Sequence, residues 1–201
     1  HQSMPADEAE VLALDNALTF FVAGHETTAA ALTWSAYLLA GQPDLQERVR
    51  EAVLTEGETA PLLRQLLDEA MRLYPPVVLI IREALADDDM CGAAVRQSDV
   101  VMIYPWIVHR HRRLWDRPDA FDIDRFAPGR RDAYHRFQYV PFGAGPRICV
   151  GARFAVTEAL IILAAWLRSR RFRLTEGLEP MPFGTITMRP RHGLPLRVEP
   201  I

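Results

Sequence analysis

Hydrophobic and polar positions along this chain fall into two regimes: helical periodicity over the first third and again from about Ala152 to Arg168, and short, broken patterns elsewhere. From about Pro5 to Ala40 the pattern predicts one unusually long helix, with Asp7, Glu8 and Glu10 near its start, where negative charge suits the helix dipole. Gly41 and Pro43 stop it after roughly 50 Å, at about 1.5 Å per residue. A second helix is expected over Pro43 to Leu54, followed by a linker from Thr55 to Thr59. Pro61 suits the first turn of a third helix, in which Leu63, Leu66, Leu67, Ala70 and Met71 share one face. Pro75-Pro76 ends it.

The pattern then changes. Val77 to Ile81 and Asp99 to Ile107 are β-rich runs, with turn-prone residues at Asp87-Asp88-Asp89 and Gly92 between them. From Arg110 to Phe142 periodicity is weak, and so long an irregular stretch in a compact domain usually has a task of its own. A last strong helix is predicted from about Ala152 to Arg168. Short strands follow at Phe172–Leu174, Thr185–Arg189 and Leu194–Val198, with a turn over Pro190–Gly193. The expected fold class is mainly α with small β-sheets (α+β). With 201 residues, 49% of them hydrophobic, the chain suffices for one core and one domain over 1–201.

Composition narrows the setting. The apolar run from Leu18 to Leu39 is broken by His25 and Glu26, a pair a lipid-exposed helix rarely tolerates, so a buried soluble helix is expected and no membrane segment. The chain starts at His1 rather than Met, which leaves room for a targeting segment upstream. Two cysteines, Cys91 and Cys149, lie far apart and form neither a disulfide framework nor a zinc spacing. A reducing, cytoplasmic compartment with at least one free thiol is the expectation. All 23 basic residues are Arg, as a GC-rich bacterial genome would produce. Residues 1–100 hold 6 Arg against 17 acids and residues 101–201 hold 17 Arg against 9 acids. That basic half is either a solvated surface or a docking face for an acidic partner; nothing points to nucleic acid.

The segment Phe142-Gly143-Ala144-Gly145-Pro146-Arg147-Ile148-Cys149-Val150-Gly151 carries the most specific chemistry. It is a glycine-punctuated loop that delivers a cysteine just before a helix N-terminus. Glycines let backbone turn tightly and approach a bulky group. The helix dipole, its free N–H groups and nearby Arg147 favour thiolate over thiol. Such a sulfur suits metal binding or attack on an electrophile.

The pattern Phe-Gly-x-Gly-x-Arg-x-Cys-x-Gly resembles the haem-binding signature of the cytochrome P-450 family, matching all six fixed positions. The resemblance implies a P-450-like fold, with this chain as its C-terminal, haem-binding portion. It makes Cys149 the axial metal ligand, in a family whose thiolate favours O–O cleavage. By the same resemblance Phe142, Gly143 and Gly151 surround the sulfur, and Arg147 pairs with a haem propionate. Further matches follow in the family's order. Ala23-Gly24-His25-Glu26-Thr27-Thr28 lies within the long helix, where the residues matching Glu26 and Thr27 relay protons as an acid–alcohol pair. Glu69 and Arg72, spaced i, i+3, match a buried pair joined by a second arginine, for which Arg125 in Phe121-Asp122-Ile123-Asp124-Arg125-Phe126 is the candidate. That segment departs from the usual Pro-Glu-Arg-Phe at Ile123 and Asp124. Arg82 matches a second propionate contact, and His109 is either a residue near the proximal side or a structural histidine.

The resemblance implies a haem-thiolate monooxygenase using haem b (iron protoporphyrin IX) and O2, with electrons ultimately from NAD(P)H through a ferredoxin or flavoprotein reductase. The stretch Arg110 to Arg136 is the expected docking side. Ala23, Val77, Val78, Leu79 and Phe183 suggest an apolar small-molecule substrate. The match covers about half of a complete family member, so a non-catalytic remnant stands as the alternative. Without the missing half, Leu18, Phe20, Phe21 and Trp34 are expected to be exposed.

Overall fold

The structure is a computed structural model that describes residues 5–177 and 179–201. Helix α1 spans Ala6–Ala40, interrupted by no proline and only one glycine, and its C-cap Gly41 closes it by donating its N–H to carbonyls of the last turn. Helices α2 (Pro43–Glu56) and α3 (Pro61–Leu73) each start with proline in the first turn, where the missing N–H costs nothing. Between them Gly57–Thr59 forms a single 3-10 turn rather than an open linker.

Strand β1 (Ile80–Glu83) pairs antiparallel with β4 (Val100–Ile103), and the hairpin β2 (Asp88–Met90) with β3 (Ala93–Val95) lies between them in the chain. Asp88 and Asp89, expected within a turn, are therefore strand: the chain reverses at Cys91 and Gly92, both at positive φ. The expected strand to Ile107 stops at Ile103. Pro105 opens the short helix α4 (Pro105–Val108), since proline fixes φ near the helical value and removes a ladder donor. Helix α5 (Ala152–Ser169) runs directly into β5 (Arg170–Leu174), which pairs with β8 (Leu196–Pro200). The expected strand Thr185–Arg189 divides into a turn and β7 (Met188–Pro190), whose partner is β6 (Pro182–Gly184). Among the described residues no helix is long and apolar enough to cross a membrane.

The main core joins the C-terminal half of α1 (Ala31, Leu32, Ala36, Leu39) to Val49 and Val53 of α2, Leu63, Leu66, Leu67 and Met71 of α3, and Leu163 and Leu167 of α5. Buried Gln46 ties β5 to this core: its amide oxygen accepts from the Phe172 N–H at 2.7 Å and its NH2 donates to the Phe172 carbonyl at 3.0 Å. A second cluster centres on Trp34, Val78 and Met188. The Trp34 indole stacks on Tyr74 with centroids 3.9 Å apart and donates its N–H to the Met188 carbonyl at 3.2 Å. Trp34 is thus fully buried, contrary to expectation, because Tyr74 and the β7 backbone cover it. Leu18, Phe20 and Phe21 are exposed as expected.

Candidate functional site

Two glycines shape the cysteine loop. Gly143 and Gly145 sit at φ +75° and +76°, a region that strains any residue with a Cβ. The loop closes when the Cys149 N–H donates to the Phe142 carbonyl at 2.9 Å, and Gly145–Arg147 adds one 3-10 turn. A Cβ on Gly143 would lie 3.9 Å from Ile80, so β1 flanks the loop. Cys149 then stands three residues before the first residue of α5, with Gly151 as the helix N-cap and a Cβ at Gly151 only 3.9 Å from the sulfur. The Cys149 thiol is free and exposed, as is that of Cys91. Around Cys149 the apolar side chains of Ile148, Val150 and Phe154 are also exposed, Val150 at 85%. The Phe142 ring packs against the main core, and its backbone carbonyl is the acceptor that closes the loop on the cysteine.

Glu69 and Arg72 of α3 and Arg125 of the irregular stretch come together and are almost fully buried. Arg72 grips Glu69 in a two-point pair, Nε to Oε2 at 2.6 Å and Nη2 to Oε1 at 2.8 Å. Its remaining donors reach the carbonyls of His109, Pro118 and Ala120. Glu69 Oε1 also accepts the Asp122 N–H at 2.9 Å. Arg125 Nε lies 3.5 Å from the same oxygen, an ion-pair distance without hydrogen-bond alignment, and its Nη2 donates to the Arg117 carbonyl at 2.8 Å. Burial pushes the Glu69 carboxyl up from its ordinary value, and the Arg72 hydrogen bonds oppose that rise. The triad pins the irregular stretch to α3 through its backbone carbonyls, which gives that stretch a fixed shape with only short 3-10 turns at Ile123–Phe126 and Arg131–Ala133.

His109 is a buried structural histidine by geometry. Its Nε2 accepts the Val140 N–H at 2.9 Å, just before the cysteine loop, while Nδ1 makes no hydrogen bond among the described residues. Burial, aided by the Arg72 charge, lowers its pKa from 6.5 to about 3, so it is neutral. Sequence reasoning missed a second clamp next door. Buried Asp68 accepts from Arg64 Nε at 2.9 Å and Arg131 Nη1 at 3.0 Å, while the Tyr139 hydroxyl donates to its carbonyl at 2.9 Å. Only the Arg64 spacing of i, i+4 was visible in the sequence.

The Arg-rich stretch is less free than its composition suggests. Arg110 lies over Trp106 at 3.4 Å from the ring centroid and donates to the Leu73 carbonyl, while Arg125 and Arg131 turn inward to Glu69 and Asp68. Arg112, Arg113 and Arg136 remain exposed.

On α1, Thr27 donates its hydroxyl to the Ala23 carbonyl at 2.8 Å, a back-bond within the helix. Glu26 does not meet Thr27. Its Oε1 instead accepts the hydroxyl of Thr187 at 2.7 Å, 161 residues away. Of the expected pocket residues, Val78 belongs to the second core cluster and Leu79 packs on it, whereas Ala23 and Phe183 are exposed. Arg82 is exposed on β1 and donates to its neighbour's carbonyl, and Arg147 is exposed in the loop.

The sequence profile described as Cytochrome P450 matches residues 10–195. The chain belongs to the cytochrome P450 family. It is 34% identical over 198 residues to human cytochrome P450 4V2, covering 90% of this chain and 37% of that protein. It is 38% identical over 194 residues to the putative cytochrome P450 132 of Mycobacterium bovis, covering 90% and 41%. The solved structure of the retinoic acid-bound cyanobacterial CYP120A1 superposes with a TM-score of 0.87 at 30% identity, covering 92% of this chain and 45% of that one. The chain therefore spans about two fifths of the length of the relatives it matches.

A cytochrome P450 haem is large, flat and apolar, with two carboxylates at one edge, and the loop's residues fit it. The soft donor is a free thiol at a helix N-terminus, the nearby Ile148, Val150 and Phe154 are exposed and apolar, and Arg82 and Arg147 form no ion pair among the described residues.

Proposed function

We propose that this cytochrome P450 chain holds haem b through a Cys149 thiolate and is the haem-carrying portion of a monooxygenase. The carrying observation is the exposed Cys149 thiol, set by the Gly143–Gly145 turn just before α5, with exposed apolar Ile148, Val150 and Phe154 close to it in the chain. Bound there, haem would supply activation of O2 and transfer of one oxygen atom to an organic substrate, which an electron-donating thiolate favours. The chain's residues do the rest. The N-terminal N–H groups of α5 favour the anionic sulfur, and Arg82 and Arg147 offer charge to two propionates. Thr27, its hydroxyl hydrogen committed to Ala23, keeps lone pairs free to accept a proton donor. Glu26 is the acid from which protons would be passed. Electrons would come from NAD(P)H through a ferredoxin or flavoprotein reductase, with exposed Arg112, Arg113 and Arg136 as its docking charges. An apolar substrate would lie over Ala23, Leu79 and Phe183, and a cytoplasmic setting suits two free thiols.

A second reading, a haem-binding but non-catalytic piece, is favoured by one observation: every residue from Asp7 to His25 is exposed, so nothing among the described residues covers the N-terminal half of α1. Reduced, carbon-monoxide difference spectroscopy after haem reconstitution tests both. A strongly red-shifted Soret band, lost in Cys149→Ser and kept in Cys91→Ser, is the expected result. A band that survives Cys149→Ser would refute the ligand assignment, and thiolate-bound haem without substrate turnover would support the second reading.

A further inference from the structure

Resting on the relay reading of Glu26 above, we infer that Thr187 is a positioning residue that holds the Glu26 carboxylate in one orientation. A glutamate side chain half exposed on a helix samples several rotamers, and a group that delivers protons works best from one. Thr187 supplies the restraint through its 2.7 Å hydroxyl bond to Oε1. Two further observations show that Thr187 itself is held firmly.

The first is backbone stitching on both sides of it. The Val78 N–H donates to the Ile186 carbonyl at 3.1 Å, and the Met188 N–H donates to the Pro76 carbonyl at 2.9 Å. Thr187 lies between these bonds and forms an antiparallel bridge with Val77. The second is the close approach at Gly184. A Cβ there would fall 2.9 Å from Val78 Cγ1 and 3.1 Å from the Thr187 carbonyl oxygen. Only glycine lets the β6–β7 turn press that tightly on the 76–78 segment. Met188, next in the chain, is buried against Trp34, two turns of α1 beyond Thr27. Glu26 is therefore fixed from outside its own helix, by a turn anchored to the same helix further along. The arrangement also explains why Glu26 and Thr27, adjacent in sequence, make no bond to each other: the carboxylate is turned toward the hairpin, and Thr27 toward Ala23.

The first test is side-chain NMR of Glu26, carbon-13 labelled, in the wild-type chain and in Thr187→Val, Thr187→Ser and Glu26→Gln as an assignment control. Three-bond couplings should report one dominant rotamer in the wild type, averaging in Thr187→Val and recovery in Thr187→Ser. Unfolding midpoints should stay together, so that loss of fold is not the cause. Losing the bond should shift the rotamer balance about fivefold. A Glu26 that is already averaged in the wild type, or that stays fixed in Thr187→Val, overturns the inference. Since this readout needs no haem, a chain that takes up none would refute the reading above and leave this result to be judged alone. In the loaded enzyme Thr187→Val should lower the share of reducing equivalents that reach product, several-fold, with Thr187→Ser restoring it. It should add little to Glu26→Gln, because both remove the same oriented acid. Losses that multiply instead would overturn the positioning role.

Discussion

The two halves of α1 have the same backbone and opposite fates. From Asp7 to His25 every residue is exposed, including Val11, Leu12, Leu14, Leu18, Phe20, Phe21 and Val22. From Thr28 to Ala40 most residues are buried, and Trp34 and Leu39 are wholly enclosed against α3, α5, β5 and the Val78–Met188 cluster. Composition does not separate the halves, since both are rich in apolar residues. What differs is whether another element of this chain lies alongside. Helix propensity can sustain α1 in both halves, but only the second gains stability from tertiary packing. The chain's own folding energy is therefore expected to sit around the second half and the charged lock on α3, with little in the first.

The largest effect should come from the lock. Glu69→Gln leaves Arg72 and Arg125 buried without a compensating charge, and breaking a buried pair from one side costs about 3–5 kcal/mol. Urea unfolding of Glu69→Gln should show that loss or no folded state. A stability within 1 kcal/mol of wild type, on the scale of about 1 kcal/mol for a neutral hydrogen bond, would mean the lock carries little.

Next in size is a pH effect from the same region. His109 is held neutral by burial, with its folded pKa near 3 against an ordinary 6.5. A depressed pKa contributes stability that is present above the unfolded value and is lost as pH falls toward the folded one. The window thus opens below pH 6.5 and closes near pH 3. At about 1.4 kcal/mol per unit, the wild type should be roughly 2 kcal/mol less stable at pH 5 than at pH 7.5 from this residue. His109→Gln should flatten that slope, whatever its stability at neutral pH. An unchanged slope would place the acid sensitivity elsewhere.

How much of this was legible depended on sequence distance. The helices were plain because their apolar periodicity runs over many turns, and the cysteine loop because ten consecutive residues carry its geometry. Glu69 and Arg72 showed as an i, i+3 pair, and Arg125 came only through a family pattern. By contrast, β2 was hidden because its residues are all exposed aspartate and methionine, with no alternation to reveal a face. Helix α4 was overrun by a β-rich reading although Pro105 marked its start. Asp68 with Arg131 and Glu26 with Thr187 are joined across 63 and 161 residues. No local pattern encodes such pairs, because each depends on where separate elements dock.

The smallest expected effect falls on the exposed half of α1, and it sharpens the comparison most directly. Phe20→Ser with Phe21→Ser removes two large apolar side chains that are 63% and 71% exposed. Neither contributes to a core cluster, so stability by urea unfolding should change by no more than about 0.5 kcal/mol. Self-association should nevertheless fall, because these rings belong to an uncovered apolar surface, and such surfaces stick to one another. Light scattering at rising concentration would record it. The paired change Trp34→Ala, on the buried half of the same helix, should do the reverse: about 3–5 kcal/mol of stability lost. If instead the phenylalanine variant loses several kcal/mol, the first half of α1 is packed in solution, and the division of this helix into a stabilised and an unstabilised half would be wrong.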